Sequence, residues 1–449
     1  MEIPKKMLIK GTVILTISGI IVRIIGMLYR MFLSRLIGAE GLGLFQLILP
    51  VYVLMAAAVS FGLPGAVTKM IAERHALSDT TGQKKLKKMA FRLVFLTAFL
   101  TVIMYLSVIF LMGEKLFPDE RVLFPLKLAP LGFFFAAMSQ ILRSYFQGLS
   151  NMTPTAVSQV IEQVFRFSLG MTGAVILYPY GLHFSIVGIM AGIICGEIMG
   201  FITLLVFQKL ENKWERQTSK ATYNATSYNP FPLLKELIAF SLPLLFIRIS
   251  GSLTHTAESL LIPARLQEAG FSSSEAVILF GQLTGMAIPL LFLPTVFILP
   301  LNSALVPYIA RNKVLKKRES LNRMVKLSLW GTMILGIFSA LFLYYLSPWL
   351  TSFLYGDVSA SFLVALLAWA APFAYIQFTA AAILHGLGRP GTAVAYDMLG
   401  TLLALVIIFY LTASPSAGIK GAVVGYSAGY ITTTLLDSLQ IHRIIKKMR

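Results

Sequence analysis

Twelve runs of twenty or more mainly apolar residues follow one another along the chain, at 8–37, 42–70, 89–112, 122–146, 156–177, 186–207, 237–263, 276–308, 324–346, 362–384, 392–411 and 422–441. A helix of about 20 apolar residues crosses the hydrocarbon core of a bilayer, and in lipid a helix satisfies every backbone N–H and C=O within its own segment. The chain is 57% hydrophobic and only 13% charged, against roughly 25% charged in soluble domains. The pattern therefore predicts an all-α polytopic membrane protein of about twelve transmembrane helices.

The formal net charge of +19 invites a nucleic-acid partner until its placement is examined. With the N-terminus in the cytoplasm and the spans alternating, 26 Lys and Arg residues fall in inner segments, and five, Lys115, Arg121, Lys127, Arg265 and Lys420, in outer ones. That asymmetry is the positive-inside rule. It accounts for the basic character without a polynucleotide, and it puts both termini in the cytoplasm of a plasma-membrane protein. Lys5, Lys6 and Lys10 before an apolar run have the look of a signal peptide, but no small-residue cleavage site follows, so the first span is expected to be retained. The lone Cys195 lies in an apolar span and excludes a disulfide framework or a thiolate metal site.

An ordered self-similarity appears at an offset near 238: "QGLSNMTPTAV" from Gln147 matches "HGLGRPGTAV" from His385, and "VTKMIAER" from Val67 matches "LVPYIARN" from Leu305. At an offset of 230, "SRLIGAEG" from Ser34 matches "ARLQEAG" from Ala264. Six spans per copy is an even number, so the halves are expected to form a parallel repeat about an axis along the membrane normal. The expected organisation is an N-lobe at 1–208, a cytoplasmic linker at 209–236 and a C-lobe at 237–449. Two six-helix lobes make a transporter layout, with substrate expected near the midplane.

Seven basic residues fall inside spans: Arg23, Arg30, Arg35, Lys69, Arg143, Arg166 and Arg248. The repeat serves as a control on them. Arg35 recurs as Arg265 and marks a helix end, where a long side chain snorkels to the interface; Lys69 reads the same way. Arg23 and Arg30 align with Leu253 and Leu260 instead. Seven residues apart on a helix, they differ by about 20° in azimuth and about 10 Å in height. Arginine at the middle of a span costs about 2.5–3.5 kcal/mol on insertion scales, so Arg23 must face a wet cavity or a partner. Arg166 follows Glu162 by four residues, the spacing of an intrahelical ion pair; mutual neutralisation and substrate contact are both open for it. For Arg143, snorkelling and a cavity role are both open, and Arg248 is read towards the cavity.

The acids inside spans are Glu162, Glu197, Glu258, Asp397 and Asp437. Asp437 is expected at the inner interface, whereas Glu162, Glu258 and Asp397 are candidates for carrying a coupling Na+ or H+. No nucleotide P-loop, Cys/His metal spacing or nucleophile elbow occurs, so neither an ATP-driven pump nor an enzyme is expected, and no cofactor is called for. "GAEGLGLF" from Gly38 is read as an outer turn between spans and not as a phosphate cradle.

The stretches "GTVILTISGIIVRIIGMLYRMFLSRLIGAEGLGLFQL", "GLPGAVTKMIAER" and "RSYFQGLSNMTPTAVSQVIEQVFRFS" resemble the stage V sporulation protein B family. That family lies within the multidrug/oligosaccharidyl-lipid/polysaccharide transporter superfamily and is related to the lipid II flippases. The resemblance implies a V-shaped two-lobe transporter moving an undecaprenyl-diphosphate-linked oligosaccharide, a peptidoglycan precursor of the cell wall or spore cortex, across the membrane by alternating access. It further implies that Arg23 and Arg30, in the "VRIIGMLYR" motif, line a cationic cavity for the diphosphate, and Arg143, Arg166 and Arg248 are the further candidates for it. Flippases of this group usually have fourteen spans, and twelve here imply a shorter sporulation-associated relative. The partners so implied are an anionic lipid-linked oligosaccharide, membrane lipid and cell-wall synthesis proteins. Two other readings compete: a cation-coupled drug or organic-ion antiporter, disfavoured by arginines where cationic cargo needs carboxylates, and a non-transporting membrane partner of cell-wall enzymes.

Overall fold

Backbone hydrogen bonding in an apolar medium leaves these sequences one way to fold, and the structure, a computed structural model describing residues 5–218 and 230–447, consists of helices joined by short turns. In chain order they are α1 Lys5–Ser60, α2 Leu63–Ala76, α3 Thr80–Leu116, α4 Leu123–Gly148, α5 Thr153–Leu177, α6 Leu182–Thr218, α7 Pro230–Glu268, α8 Ser273–Phe280, α9 Ile288–Phe292, α10 Thr295–Val314, α11 Arg318–Tyr355, α12 Ser361–Ala368, α13 Ala371–Gly386, α14 Pro390–Leu411 and α15 Ile419–Lys447. Among the described residues nine helical stretches are long and apolar enough to cross a membrane, ten if the bent pair α12 and α13 counts as one span. The first stretch, Val13–Ala76, carries two of the predicted spans. The twelfth predicted span coincides with α15, whose Tyr, Thr and Asp content keeps it out of that group.

The structure differs from the predicted spans where glycine and proline intervene. Between the first two spans there is no outer loop: the chain turns at one residue, Gly38 (φ 65°, ψ −171°), and helix resumes at once. That backbone lies in the left-handed region open to glycine. The second predicted span is interrupted at Phe61 and Gly62, both at positive φ, and α2 restarts with Pro64 in its first turn, where no intrahelical N–H is lost. The eighth passes through a π-helical segment, Gly281–Ala287, and breaks before α10 at Leu293 and Pro294. The tenth bends by 56° between α12 and α13, next to Pro372. Of the expected linker 209–236, helix α6 takes in residues to Thr218 and α7 those from Pro230, and 219–229 lie outside the described residues.

Helix packing divides the chain into two compact units, residues 1–37 with 47–257 and residues 38–46 with 258–449. In the first unit the tightest pairing is α5 on α6, and its cause is a glycine at every fourth position of α6: Gly188, Gly192, Gly196 and Gly200. A Cβ on Gly196 would lie 2.8 Å from the Glu162 carbonyl oxygen, and one on Gly200 3.3 Å from the Glu162 Cβ. A Cβ on Gly173 of α5 would sit 3.0 Å from the Gly188 Cα. In lipid, where apolar contact gives helices no hydrophobic drive to associate, such close backbone approach is the main source of packing energy.

The second unit repeats the device. On α15, Gly421, Gly425 and Gly429 approach the α14 backbone, with a Cβ on Gly429 placed 3.0 Å from the Gly400 carbonyl oxygen and one on Gly425 2.9 Å from that of Ala404. The internal repeat is thus visible as two equivalent glycine-mediated helix pairs. In the same unit, side chains satisfy carbonyls around the irregular α8–α9 stretch: Gln46 Nε2 donates to Thr284 O at 2.8 Å, and the Tyr375 hydroxyl to Leu291 O at 2.6 Å.

Candidate functional site

The close α5–α6 approach brings four charged side chains of the first unit together. Arg143 of α4 donates through Nη2 to Glu162 Oε2 at 2.7 Å and through Nε to Ser158 Oγ at 3.1 Å. Arg166 donates through Nη2 to Glu162 Oε1 at 2.6 Å, the i,i+4 pair that its spacing predicts, and also to Glu197 Oε1 of α6 at 2.9 Å. The side chains of Arg143 and Glu197 are 7% exposed and that of Glu162 13%, while that of Arg166 keeps 25%. Two guanidinium groups alternate with two carboxylates, so the chain of charges is neutral. Charges in a low-dielectric interior persist only when paired in this way. Around the chain, the Tyr29 hydroxyl and Arg166 Nε are buried with no hydrogen-bond partner among the described residues.

The repeat supplies the control. At the second-unit places equivalent to Glu162 and Arg166 stand Gly400 and Ala404, and Glu197, which follows Gly196, is matched by Tyr430, which follows Gly429. The same helix pair forms without charge there, so the network is an addition to the fold of the first unit and not a requirement for it.

Arg23 and Arg30 lie on the first half of α1. That helix packs on α5 through Gly26, whose Cβ would be 3.4 Å from Gln163 Nε2, and through Tyr29, edge-on to Phe167 with ring centroids 5.8 Å apart. At 100° per residue, Arg30 points about 40° and Arg23 about 60° round the axis from Gly26, on the side away from Tyr29. Arg30 is half-buried, whereas Arg23 is exposed, and among the described residues no hydrogen bond or ion pair reaches it. Arg248 of α7 is exposed. Of the five sequence-derived arginines, the structure thus joins Arg143 and Arg166 through Glu162, and among the described residues no hydrogen bond or ion pair links Arg23 or Arg248 to that chain. Arg35 is exposed, while its repeat partner Arg265 stacks over Phe409 at 3.7 Å, donates to the Phe409 carbonyl at 2.9 Å and pairs with Glu268.

The remaining candidates, Glu258 and Asp397, belong to the second unit. Glu258 is buried, and Asp397 accepts from Gln377 Nε2 at 2.7 Å. Glu197 joins the charge chain without having been singled out as a candidate. The signal that finds it is the four-residue glycine ladder of α6, which puts the residue after Gly196 beside the α5 face carrying Glu162 and Arg166.

Comparison with known proteins gives this geometry its family. Residues 8–313 match the model of the polysaccharide biosynthesis protein family. Stage V sporulation protein B of Bacillus subtilis is 30% identical over 98% of this chain and 85% of its own length, and the lipid II flippase MurJ of the same organism is 25% identical over 97% and 82%. Among solved structures, an inward-facing multidrug resistance MATE family transporter of the MOP superfamily superposes with a TM-score of 0.77 at 15% identity, covering 98% of both chains, a likeness that shows the fold. The chain therefore belongs to the polysaccharide biosynthesis protein family, as a membrane transporter and not an enzyme.

Proposed function

We propose that this transporter moves an anionic, lipid-linked oligosaccharide across the membrane, with Arg23 and Arg30 of α1 receiving its diphosphate. Arg23 carries the reading: a guanidinium in the body of a membrane span, exposed and with no protein partner among the described residues. Such a charge calls for an anion from outside the chain, and the planar fork of arginine matches phosphate oxygens two at a time. Arg143 and Arg166 have their charge met by Glu162 and Glu197. Their part in the proposal is to hold the α4–α5–α6 wall in place, with Arg166 Nε and Tyr29 as unused donors along it. Arg248 extends the cationic set. The lipid II flippase relative supports the cargo class, and the excess of Lys and Arg in alternate connections supports cytoplasmic termini.

The test is binding and transport of an undecaprenyl-diphosphate sugar by the purified chain in liposomes. A charge-assisted hydrogen bond contributes about 1.5–3 kcal/mol, so Arg23→Ala is expected to weaken head-group binding about 10- to 100-fold while folding and insertion are kept. Arg30→Ala should act in the same direction, and Arg23→Lys should recover only part of the loss, because the point charge lacks the fork. Undiminished transport by the Arg23→Ala, Arg30→Ala double variant would end the proposal.

A further inference from the structure

Helix α3 turns a wholly basic face outwards at its start. Lys84, Lys88 and Arg92 follow one another at i,i+4 with Lys85 beside them, and at 100° per residue the four fall within about 100° of azimuth. All four are exposed, and α3 has no acid before Glu114. Lys87, on another side of the helix, is buried over the Tyr145 ring at 4.1 Å. Like charges four residues apart on a helix repel, and among the described residues no hydrogen bond or ion pair reaches Lys88 or Arg92. The same face continues along the helix as Phe95, Leu96 and Phe99, all more than half exposed, inside a stretch apolar enough to cross a membrane. The positive-inside rule asks only for charge in the connection; it does not ask for that charge on one helix face in line with bare aromatic rings.

The repeat keeps the arrangement. At an offset of 238 the buried Ala90, Val94 and Ala98 fall on the buried Ser328, Thr332 and Gly336 of α11, and the exposed Lys85, Lys88 and Phe99 on the exposed Arg323, Lys326 and Ile337. The turn before each helix matches too: Ser78 (φ 55°) and Lys316 (φ 52°) are left-handed, and each follows an exposed leucine, Leu77 at 74% and Leu315 at 50%.

We propose that this face of α3 is a binding site for an acidic phospholipid of the surrounding membrane, with Lys88 and Arg92 meeting the phosphate, Lys84 and Lys85 adding to the field, and the acyl chains lying along Phe95, Leu96 and Phe99. Phe95 lies about 10 Å along the helix from Lys88, so one molecule with a charged head and a long apolar tail meets both parts of the face. An acidic protein at the membrane surface would meet the charges and leave the rings unused. Basic residues at the end of a membrane span each draw acidic lipid by about a factor of five. Leu77 gives the turn before α3 an apolar side chain to place in the same head-group layer. Within the first unit the lipid offsets the repulsion along the Lys84, Lys88, Arg92 row. The site stands apart from the head-group reading, since it needs neither Arg23 nor a transported cargo.

The experiment titrates the full chain in neutral detergent with phosphatidylglycerol or phosphatidylcholine of the same acyl chains, counts bound lipid by native mass spectrometry and follows thermal stability. The wild type is expected to bind phosphatidylglycerol saturably and more tightly than phosphatidylcholine, and to melt at a higher temperature with it, as ligand linkage requires. The Lys88→Gln, Arg92→Gln double variant is expected to bind phosphatidylglycerol about 25-fold more weakly and to lose the extra stabilisation, while melting as the wild type does in phosphatidylcholine. Arg311→Gln with Arg389→Gln removes equal charge at exposed residues off this face and should change the affinity less than about twofold, far below the loss from two contact residues. Glycerol 3-phosphate, which has the charge without the chains, should not displace the lipid. Equal binding of the two lipids by the wild type, undiminished binding by the Lys88→Gln, Arg92→Gln variant, or an equal loss in the Arg311→Gln, Arg389→Gln control overturns the site. Displacement by glycerol 3-phosphate does so too, by assigning the face to a free phosphate.

Discussion

Glu162 is the keystone of the first unit's charge chain, and its replacement by glutamine has a calculable direction. The wild-type chain sums to zero, with Glu162 meeting Arg143 at 2.7 Å and Arg166 at 2.6 Å. Glu162→Gln keeps the volume but leaves one net positive charge, and a single amide oxygen cannot accept from both guanidinium groups. Arg166 retains Glu197 at 2.9 Å, whereas Arg143, with a side chain only 7% exposed, retains only Ser158. The penalty therefore falls on Arg143, and breaking a buried pair from one side costs about 3–5 kcal/mol. Glu197→Gln should cost less, about 1–2 kcal/mol, because Arg166 keeps its shorter bond to Glu162 and is partly open to solvent. Adding Arg143→Gln to Glu162→Gln restores neutrality, with Arg166 and Glu197 still paired. The double variant should consequently be more stable than the additive expectation by about 2–3 kcal/mol, within the range of couplings between contacting residues. Reversible unfolding in mixed detergent micelles, read by circular dichroism, gives all four corners of the cycle. If Glu162→Gln lies within about 1 kcal/mol of wild type, or if the cycle closes additively, the chain is not an energetic unit and the reasoning fails.

Other outcomes follow from the backbone contacts. Gly192→Leu should abolish folding of the first unit, since even a Cβ there would meet the Gly170 backbone; membrane extracts should show aggregated or degraded protein on gel filtration. Gly19→Ala is the matched control, with nothing within 4 Å of the added carbon, and should leave stability unchanged or raise it by up to about 1 kcal/mol through helix propensity. Gly62→Ala should be destabilising, because the residue sits at φ 66° and a Cβ would lie 2.7 Å from the Leu245 nitrogen; left-handed backbone alone costs about 1–2 kcal/mol for such a side chain. Tyr375→Phe removes the donor to Leu291 O, at a cost of about 1–3 kcal/mol for a buried acceptor left bare, measurable in the same unfolding assay.

The apolar runs, the alternation of basic residues and the internal repeat are one-dimensional properties, and each was legible before any contact was known. So was the Glu162–Arg166 pair, because an i,i+4 relation is internal to one helix, and so was the shared azimuth of Arg23 and Arg30. Continuity of the spans was less legible. Hydropathy is blind to a single backbone torsion, so the breaks at Gly62, Pro294 and Trp369 were absorbed into longer apolar runs, and the one-residue turn at Gly38 was drawn as an outer loop.

Which charges meet across helices came from the packing alone. Arg143 reaches Glu162 from α4, Glu197 reaches Arg166 from α6, and Asp437 lines a cavity with Asp397. A sequence fixes the azimuth of a side chain on its own helix, but a contact between helices depends also on which faces are apposed and how near the axes come. Here the glycines at every fourth residue of α6 and α15 set that distance. The identical construction in the two units then carries a neutral chain of four charges in one, and a buried acid, Asp437, with the exposed Asp397 lining the same cavity in the other.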